Sequence, residues 1–288
     1  MTIRTAVIAA AGYGTRFLPV SKAIPKEMLP IIDRPVLQYV VDQAVAEGID
    51  RIILVTSSGK EAMENYFKVV PDLETVLKKR NSSKLEDVVR VSRMANIVPV
   101  IQHQPLGLGH AVLCAKDAVG DEPFIVYLPD EILLGDPSAT RQMLEAYERL
   151  GTSVIGVKDV PLDEVERYGV AVGQHVSTSD LLLEQAVEKP KQGESPSNLA
   201  IFGPYIFTSS IFDCLESITE GAVGELQLTD GINLLANHEV VHATRLNVRR
   251  YDAGTPLGLL ETSVELALQH PDYAERVKTW LKQLVQRL

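Results

Sequence analysis

At 288 residues the chain is long enough to bury a large core, as one domain or two. Its 38 acidic side chains outnumber 28 basic ones and leave a formal charge of −10, which argues against a nucleic-acid binder that relies on a basic surface. No apolar run approaches the length of a membrane span, and Met1-Thr2-Ile3-Arg4 leads into a strand without a signal-peptide pattern, so a cytoplasmic chain with no membrane partner is expected.

The first element is an apolar run, Thr5-Ala6-Val7-Ile8, which reads as a buried strand. A loop from Ala9 to Pro30 follows. Glycines at 12 and 14 free its backbone to turn tightly and approach a ligand. Arg16, Lys22 and Lys26 come next, with Glu27 as the only acid in the stretch. A cationic glycine-bearing loop at a strand end suits a polyanionic phosphate. It is not a P-loop, because Gly-Lys-Ser/Thr is absent. Nor is it a Rossmann fingerprint, because Phe17 stands where the third glycine belongs. Pro19, Pro25 and Pro30 stop it from becoming a helix. The plain alternative is a solvated basic loop.

A helix is expected from about Pro35 to Glu47, opened by proline and closed at Gly48. Arg51 to Thr56 reads as a strand, and the polar stretch 60–95 as helices covering the sheet. Ile97 to Ile101 and Phe124 to Leu128 read as strands, with a helix over Gly109 to Asp117 between them. This order implies βαβ units and a mostly parallel central sheet. Beyond it, Ser153 to Val157, Tyr205 to Thr208 and Thr244 to Val248 look like strands, and Val170 to Val176 the start of a hairpin. Lys189 to Ser197 has loop composition, and the tail from Pro256 is helical by period, broken near Pro271. Cys114 and Cys214 lie far apart and are expected to be free thiols.

Three groups of residues invite a chemical reading. Asp130 sits just past the strand 124–128, where ligands of open α/β sheets bind, while Glu131 beside it is expected to point the other way. Asp252 lies in Tyr251-Asp252-Ala253-Gly254-Thr255; either aspartate alone could simply cap a turn or helix. The segment Gln102-His103-Gln104-Pro105-Leu106-Gly107-Leu108-Gly109-His110 offers buried amides beside glycine turns, and its histidines read as capping or packing groups.

Taken together, Gly12-Tyr13-Gly14-Thr15-Arg16 and the run from Pro19 through Lys22 and Lys26 to Leu29-Pro30 resemble the signature of the sugar-1-phosphate nucleotidylyltransferases. Within that superfamily, Lys22-Ala23-Ile24-Pro25-Lys26-Glu27-Met28-Leu29-Pro30 is similar to the bacterial UTP–glucose-1-phosphate uridylyltransferases; thymidylyl relatives carry Gln-Leu at Glu27-Met28. The resemblance implies an α/β fold: a Rossmann-like nucleotidyltransferase core with a mostly parallel or mixed sheet flanked by helices, a smaller β-rich sugar-binding portion, and C-terminal helices. It implies a nucleotidyltransferase domain over residues 1–255, its nucleotide half about 1–150 and its sugar-phosphate half about 151–255, and a helical extension over 256–288.

The implied reaction passes the uridylyl group of UTP to glucose 1-phosphate with Mg²⁺ as cofactor. Arg16 and Lys26 would neutralise the phosphates. Ala10, Ala11, Gly12, Gly14, Thr15, Glu27, Gln102 and Gly107 would contact the nucleotide, with Gln104 in place of Gln102 in the alternative register. Gly169 (in Tyr168-Gly169-Val170), Glu188 and Lys189 (in Glu188-Lys189-Pro190) and Gly203 would hold the sugar phosphate, and Asp130 and Asp252 the metal. Ala253-Gly254-Thr255 departs from the uridylyl pattern Cys-Gly-Asn and is nearer the thymidylyl form, which keeps a thymidylyl or cytidylyl transferase open as an alternative. A catalytically silent nucleotide-binding regulator is the other. The family is commonly oligomeric, so a homodimer or homotetramer is expected.

Overall fold

The computed structural model describes residues 3–191, 193–218 and 224–287. Met1, Thr2, Leu288 and, within the loop expected at 189–197, Gln192 lie outside the described residues. In chain order the first half runs β1 (Thr5–Ala9), β2 (Pro30–Ile31), β3 (Arg34–Pro35), α1 (Val36–Val45), β4 (Arg51–Thr56), α2 (Glu61–Tyr66), α3 (Pro71–Lys79), α4 (Lys84–Arg93), β5 (Asn96–Ile101), α5 (Leu108–Leu113), α6 (Lys116–Val119), β6 (Phe124–Tyr127), β7 (Glu131–Leu134) and α7 (Ala139–Leu150). The second runs β8 (Ser153–Asp159), β9 (Gly169–His175), β10 (Asp180–Glu188), β11 (Leu199–Phe207), α8 (Ser210–Ser217), α9 (Leu228–His238), β12 (Val241–Arg245), β13 (Arg249–Asp252), α10 (Pro256–Ala267) and α11 (Ala274–Val285).

One mixed sheet of nine strands crosses both halves in the order β5-β4-β1-β6-β11-β8-β12-β10-β9. β1 runs parallel to β4 and β6, and β4 to β5, as βαβ units require. β11 enters between β6 and β8 antiparallel to both, which makes the sheet mixed. β9 and β10 form the hairpin expected near 170, with a bulge between Leu183 and Gln185.

Alternation along the central strands fills both faces. Val7, Ile53, Val55, Phe124 and Val126 point into one core with Val112, Ile211, Phe212 and Ile232 of α5, α8 and α9. Ala6, Ile8, Ile52, Leu54, Ile125 and Tyr127 point into the other with Leu37, Val40, Met63 and Met143 of α1, α2 and α7. Strands buried on both faces read as continuous apolar runs, which is why they were legible. A third cluster, Ile31, Val36, Ile132, Tyr251, Ala253 and Leu266, anchors a separate ribbon of β7 and β13. Helix ends follow side-chain chemistry: Ser138 Oγ accepts from Arg141 N–H at 3.0 Å, and Thr255 Oγ1 from Gly258 N–H at 3.0 Å ahead of Pro256.

Three elements differ from expectation. The helix over 109–117 is two short helices, α5 and α6, parted at Cys114-Ala115. The strand expected at 244–248 is shifted: β12 ends at Arg245, and a new strand, β13, carries Asp252 as its last residue. The strand expected at 205–208 is the end of a nine-residue strand from Leu199.

Candidate active site

Two clefts that share Arg16 and Leu108 open past the carboxyl ends of β1 and β6, where the chain leaves the sheet. The smaller, of about 410 Å³, is lined by Ala11, Gly12, Gly14, Thr15, Arg16, Lys26, Gln102, Gly107 and Gly254. The larger, of about 640 Å³, is lined by Arg16, Asp130, Tyr168, Gly169, Glu188, Lys189, Arg250 and Asp252, among others. Most of the residues singled out in the sequence, from segments far apart in the chain, thus gather around one space.

In the smaller cleft, backbone meets backbone. Gly107 has φ of 105°, and a Cβ there would lie 2.6 Å from the Leu226 carbonyl oxygen. Leu226 N–H donates to Leu106 O at 2.7 Å, and Gly109 N–H to Leu226 O at 2.9 Å, so the glycine loop is stapled to the segment before α9. Gln102 is 5% exposed, and its Nε2 donates to Gly107 O at 3.2 Å. Gln104 is exposed and does not line either cleft, so Gln102 is the glutamine that faces the site.

Between the clefts the acids converge. Lys26 Nζ donates to Asp130 Oδ2 at 2.5 Å. Burial is the largest influence on the Lys26 ammonium and lowers its pKa; the charge and hydrogen bond of Asp130 outweigh it, so the net shift is upward and the lysine stays charged. Ala253 N–H donates to Asp130 O at 2.9 Å, and Asp252 Oδ1 accepts from Gly254 N–H at 2.8 Å. A Cβ on Gly254 would lie 2.6 Å from Asp130 Oδ2 and 3.0 Å from Asp252 Oδ1, so both carboxylates face one point that this glycine leaves open. Among the described residues no group of three or more His, Cys, Asp or Glu gathers as a self-sufficient metal cage. A pair of carboxylates completed by phosphate oxygens and water is the arrangement Mg²⁺ favours, and the donor set fits it.

In the larger cleft, Glu188 Oε1 lies 3.1 Å from Lys189 Nζ, and its other oxygen accepts from Thr229. Lys189 has φ of 43°, a conformation that costs a non-glycine residue roughly 1–3 kcal/mol and clusters at functional sites. Glu131 and Asp252 stand directly opposite on β7 and β13, and Arg250 shares their face. Arg250 neutralises the acid pair: its guanidinium is 2.7 Å from Glu131 and 3.6 Å from Asp252. It also stacks over Tyr168 and Phe202 at 5.1 and 4.7 Å from their ring centres. Burial pushes the Glu131 carboxyl up, against the pull of Arg250.

Three expected contacts lie behind the walls instead, outside both linings. Ala10 is buried, its N–H donating to Val55 O at 2.7 Å and its carbonyl accepting from Lys60 Nζ, also at 2.7 Å. Glu27 is 1% exposed, and its carboxylate faces Lys60 Nζ at 3.1 Å rather than the cleft. Gly203 is buried within β11, where a Cβ would meet Leu128 and Tyr205 at ordinary contact distance. Lys22 is exposed at the end of a short 3₁₀ turn and lines neither cleft. Conversely, Glu225, Gln227 and Thr229 line the clefts though none belongs to a local motif, Arg250 lines the larger cleft from the segment that carries Asp252, and Lys60 stands behind the wall on Glu27.

Lys60 is a prediction in itself. Burial pushes the Glu27 carboxyl up and the Lys60 ammonium down, each held back by the other's charge. Both shifts favour the neutral forms, so the pair costs stability and its role is to position the turn that carries Lys26. Lys60→Met leaves a buried carboxylate unpaired and lowers stability by about 3–5 kcal/mol. The double variant Glu27→Gln/Lys60→Met recovers most of it. Thermal melts of the two variants check this; equal losses in both would refute the pairing.

Residues 5–269 match the family described as Nucleotidyl transferase. The chain is 46% identical over 283 residues to "UTP--glucose-1-phosphate uridylyltransferase" of Staphylococcus epidermidis, covering 98% of each. It is similar to the UTP-bound UGPase of Acinetobacter baumannii, at a TM-score of 0.88 and 38% identity over the whole of both chains. It is also similar to a UDP-glucose pyrophosphorylase complexed with UDP-glucose, at a TM-score of 0.85 and 36% identity over 93% of this chain and 100% of that one.

Proposed function

The chain belongs to the nucleotidyl transferase family, and from that premise we propose that it transfers the uridylyl group of UTP to α-D-glucose 1-phosphate, giving UDP-glucose and pyrophosphate. The observation that carries the reading is the convergence of Lys26, Asp130 and Asp252 at the open point beside Gly254, between the two clefts.

Both reactants are anions, and the sugar phosphate is already a competent nucleophile. The protein's work is to bring its oxygen in line with the α-phosphorus and to offset the charge that crowds there. The triphosphate lies along Gly12 to Thr15 in the smaller cleft, with Arg16 and Lys26 against its oxygens. Gln102 and the Gly107 backbone meet the pyrimidine edge; a mismatched base leaves a buried amide unpaired, which is how such a site discriminates. Glucose 1-phosphate occupies the larger cleft, its hydroxyls on Glu188 and the Gly169 backbone and its phosphate on Lys189. Asp130 and Asp252 would hold Mg²⁺, which supplies charge neutralisation at the α-phosphate when bound. Tyr168 and Arg250 wall the sugar side, Phe202 supports Arg250 from behind, and Arg250 keeps the Glu131–Asp252 pair compensated.

Mixing UTP, glucose 1-phosphate and Mg²⁺ with the protein yields UDP-glucose and pyrophosphate in equal amounts, read by anion-exchange chromatography. Pyrophosphate without UDP-glucose would mean hydrolysis and would defeat the proposal. Lys189→Ala removes a charge-assisted contact and raises the KM for glucose 1-phosphate about ten- to a hundredfold with little change in the KM for UTP.

The assembly is proposed to be a homo-oligomer. Helix α11 buries none of its residues in the single chain and exposes Trp280 at 51% and Val285 at 70%. Light scattering should report a dimer or tetramer for the wild type and a smaller species for Trp280→Asp.

A further inference from the structure

Gln102 cannot read a base unless its two ends are told apart, and His110 stands where it can do this. The carboxamide nitrogen of Gln102 lies 3.2 Å from Gly107 O and 2.8 Å from Nδ1 of His110, on the first turn of α5. A carbonyl oxygen only accepts, and an unprotonated imidazole nitrogen only accepts. Gly107 O can only accept, so the end of the amide that faces it is the NH₂ group, and Nδ1 of His110 meets that same end as an acceptor. The other end, Oε1, makes no hydrogen bond among the described residues, and Gln102 lines the smaller cleft. His110 does not line either cleft, so it acts only through Gln102. Its environment favours the neutral ring: burial holds its pKa below the ordinary histidine value, and the Cys114 thiol lies 3.8 Å from Nδ1 and 4.0 Å from Nε2.

The consequence is a matter of donor and acceptor patterns. Uracil and thymine present an N3–H donor between two carbonyls, whereas cytosine presents an unprotonated N3 acceptor beside an amino group. An acceptor fixed opposite N3 takes the N–H of the first pair and opposes the lone pair of the second. A free amide could turn over and greet either.

The geometry points to His110 as the positioning residue that fixes the polarity of the Gln102 amide, and so selects 2,4-dioxopyrimidine triphosphates over cytosine. The inference rests on the reading of Gln102 as a base contact. In the same way, it places a limit on His110: the ring carries its proton on Nε2, because a proton on Nδ1 would face the amide NH₂.

Calorimetry with Mg²⁺ and either UTP or CTP tests it on wild type, His110→Phe, His110→Asn and Gln102→Ala. His110→Phe keeps the ring volume and removes the acceptor, and is expected to lower the ratio of CTP to UTP dissociation constants at least tenfold. His110→Asn returns an acceptor oxygen near the Nδ1 position and is expected to restore much of the ratio. If His110→Phe weakens both nucleotides equally while Gln102→Ala collapses the ratio, His110 is merely structural and the inference fails, although the base reading stands. If Gln102→Ala also leaves the ratio unchanged, or neither nucleotide binds the wild type, the base reading fails and takes the inference with it. Should His110→Phe not fold, ¹⁵N NMR of UTP-bound wild type decides: an unprotonated Nδ1 with a proton on Nε2 is expected, and a protonated Nδ1 overturns the inference.

Discussion

Replacing Asp130 by Asn lowers kcat by about a thousandfold. The effect on rate is large because this carboxylate serves two positive groups. It is 2.5 Å from Lys26 Nζ, and its Oδ2 faces the open point beside Gly254. Asparagine keeps the shape and removes the charge, which weakens metal capture and frees Lys26 to move. Loss of metal-assisted charge stabilisation at a phosphoryl centre is worth several kcal/mol, and about 4 kcal/mol is a thousandfold. Stability falls as well, because the largely buried Lys26 ammonium loses the partner that keeps it charged. Part of that loss is offset, since the Asp130 charge also pushes up the carboxyl of Glu131 beside it. Retention of kcat within tenfold, at saturating Mg²⁺, would remove Asp130 from the site.

Gly254→Ala tests the same site without touching a ligand. The added methyl would lie 2.6 Å from Asp130 Oδ2, closer than carbon and oxygen approach, and a tight 3.0 Å from Asp252 Oδ1, so the carboxylates must part and any Mg²⁺ they would hold is displaced. Gly254 is not among the glycines with positive φ, so alanine meets no backbone strain there. The harm therefore falls on the carboxylates. Apparent Mg²⁺ affinity in the rate assay should drop at least tenfold and kcat about a hundredfold, with the KM for glucose 1-phosphate nearly unchanged. An unaltered Mg²⁺ activation curve would mean that the two aspartates do not hold the metal between them.

What could be read from the sequence follows from where the information lies. The helix Val36–Val45, which stops short of the expected Glu47, and the strand Arg51–Thr56 were legible because proline, glycine and a doubly buried apolar run mark them locally. The loop from Ala9 to Pro30 was legible because its glycines and cations are contiguous. β7 and β13 were not: a four-residue strand of one acid and three apolar residues, and one of three charged residues around a tyrosine, look like loops, and only their pairing with each other makes them a ribbon. Glu27 was misplaced because its partner, Lys60, lies 33 residues away, and a buried ion pair leaves no periodic trace. Thr229 was invisible for the same reason: it meets Glu188 across 41 residues of chain. Motifs identify the residues near the chemistry; the residues that hold them in place belong to packing.

The initial rate of pyrophosphate release reads the identity of the donor nucleotide. The protein is given glucose 1-phosphate and Mg²⁺ with UTP, dTTP, CTP or ATP in turn. UTP is expected to be used at least tenfold faster than any other and only when glucose 1-phosphate is present. Equal or faster turnover of dTTP, or no turnover of any triphosphate, would contradict the proposed function.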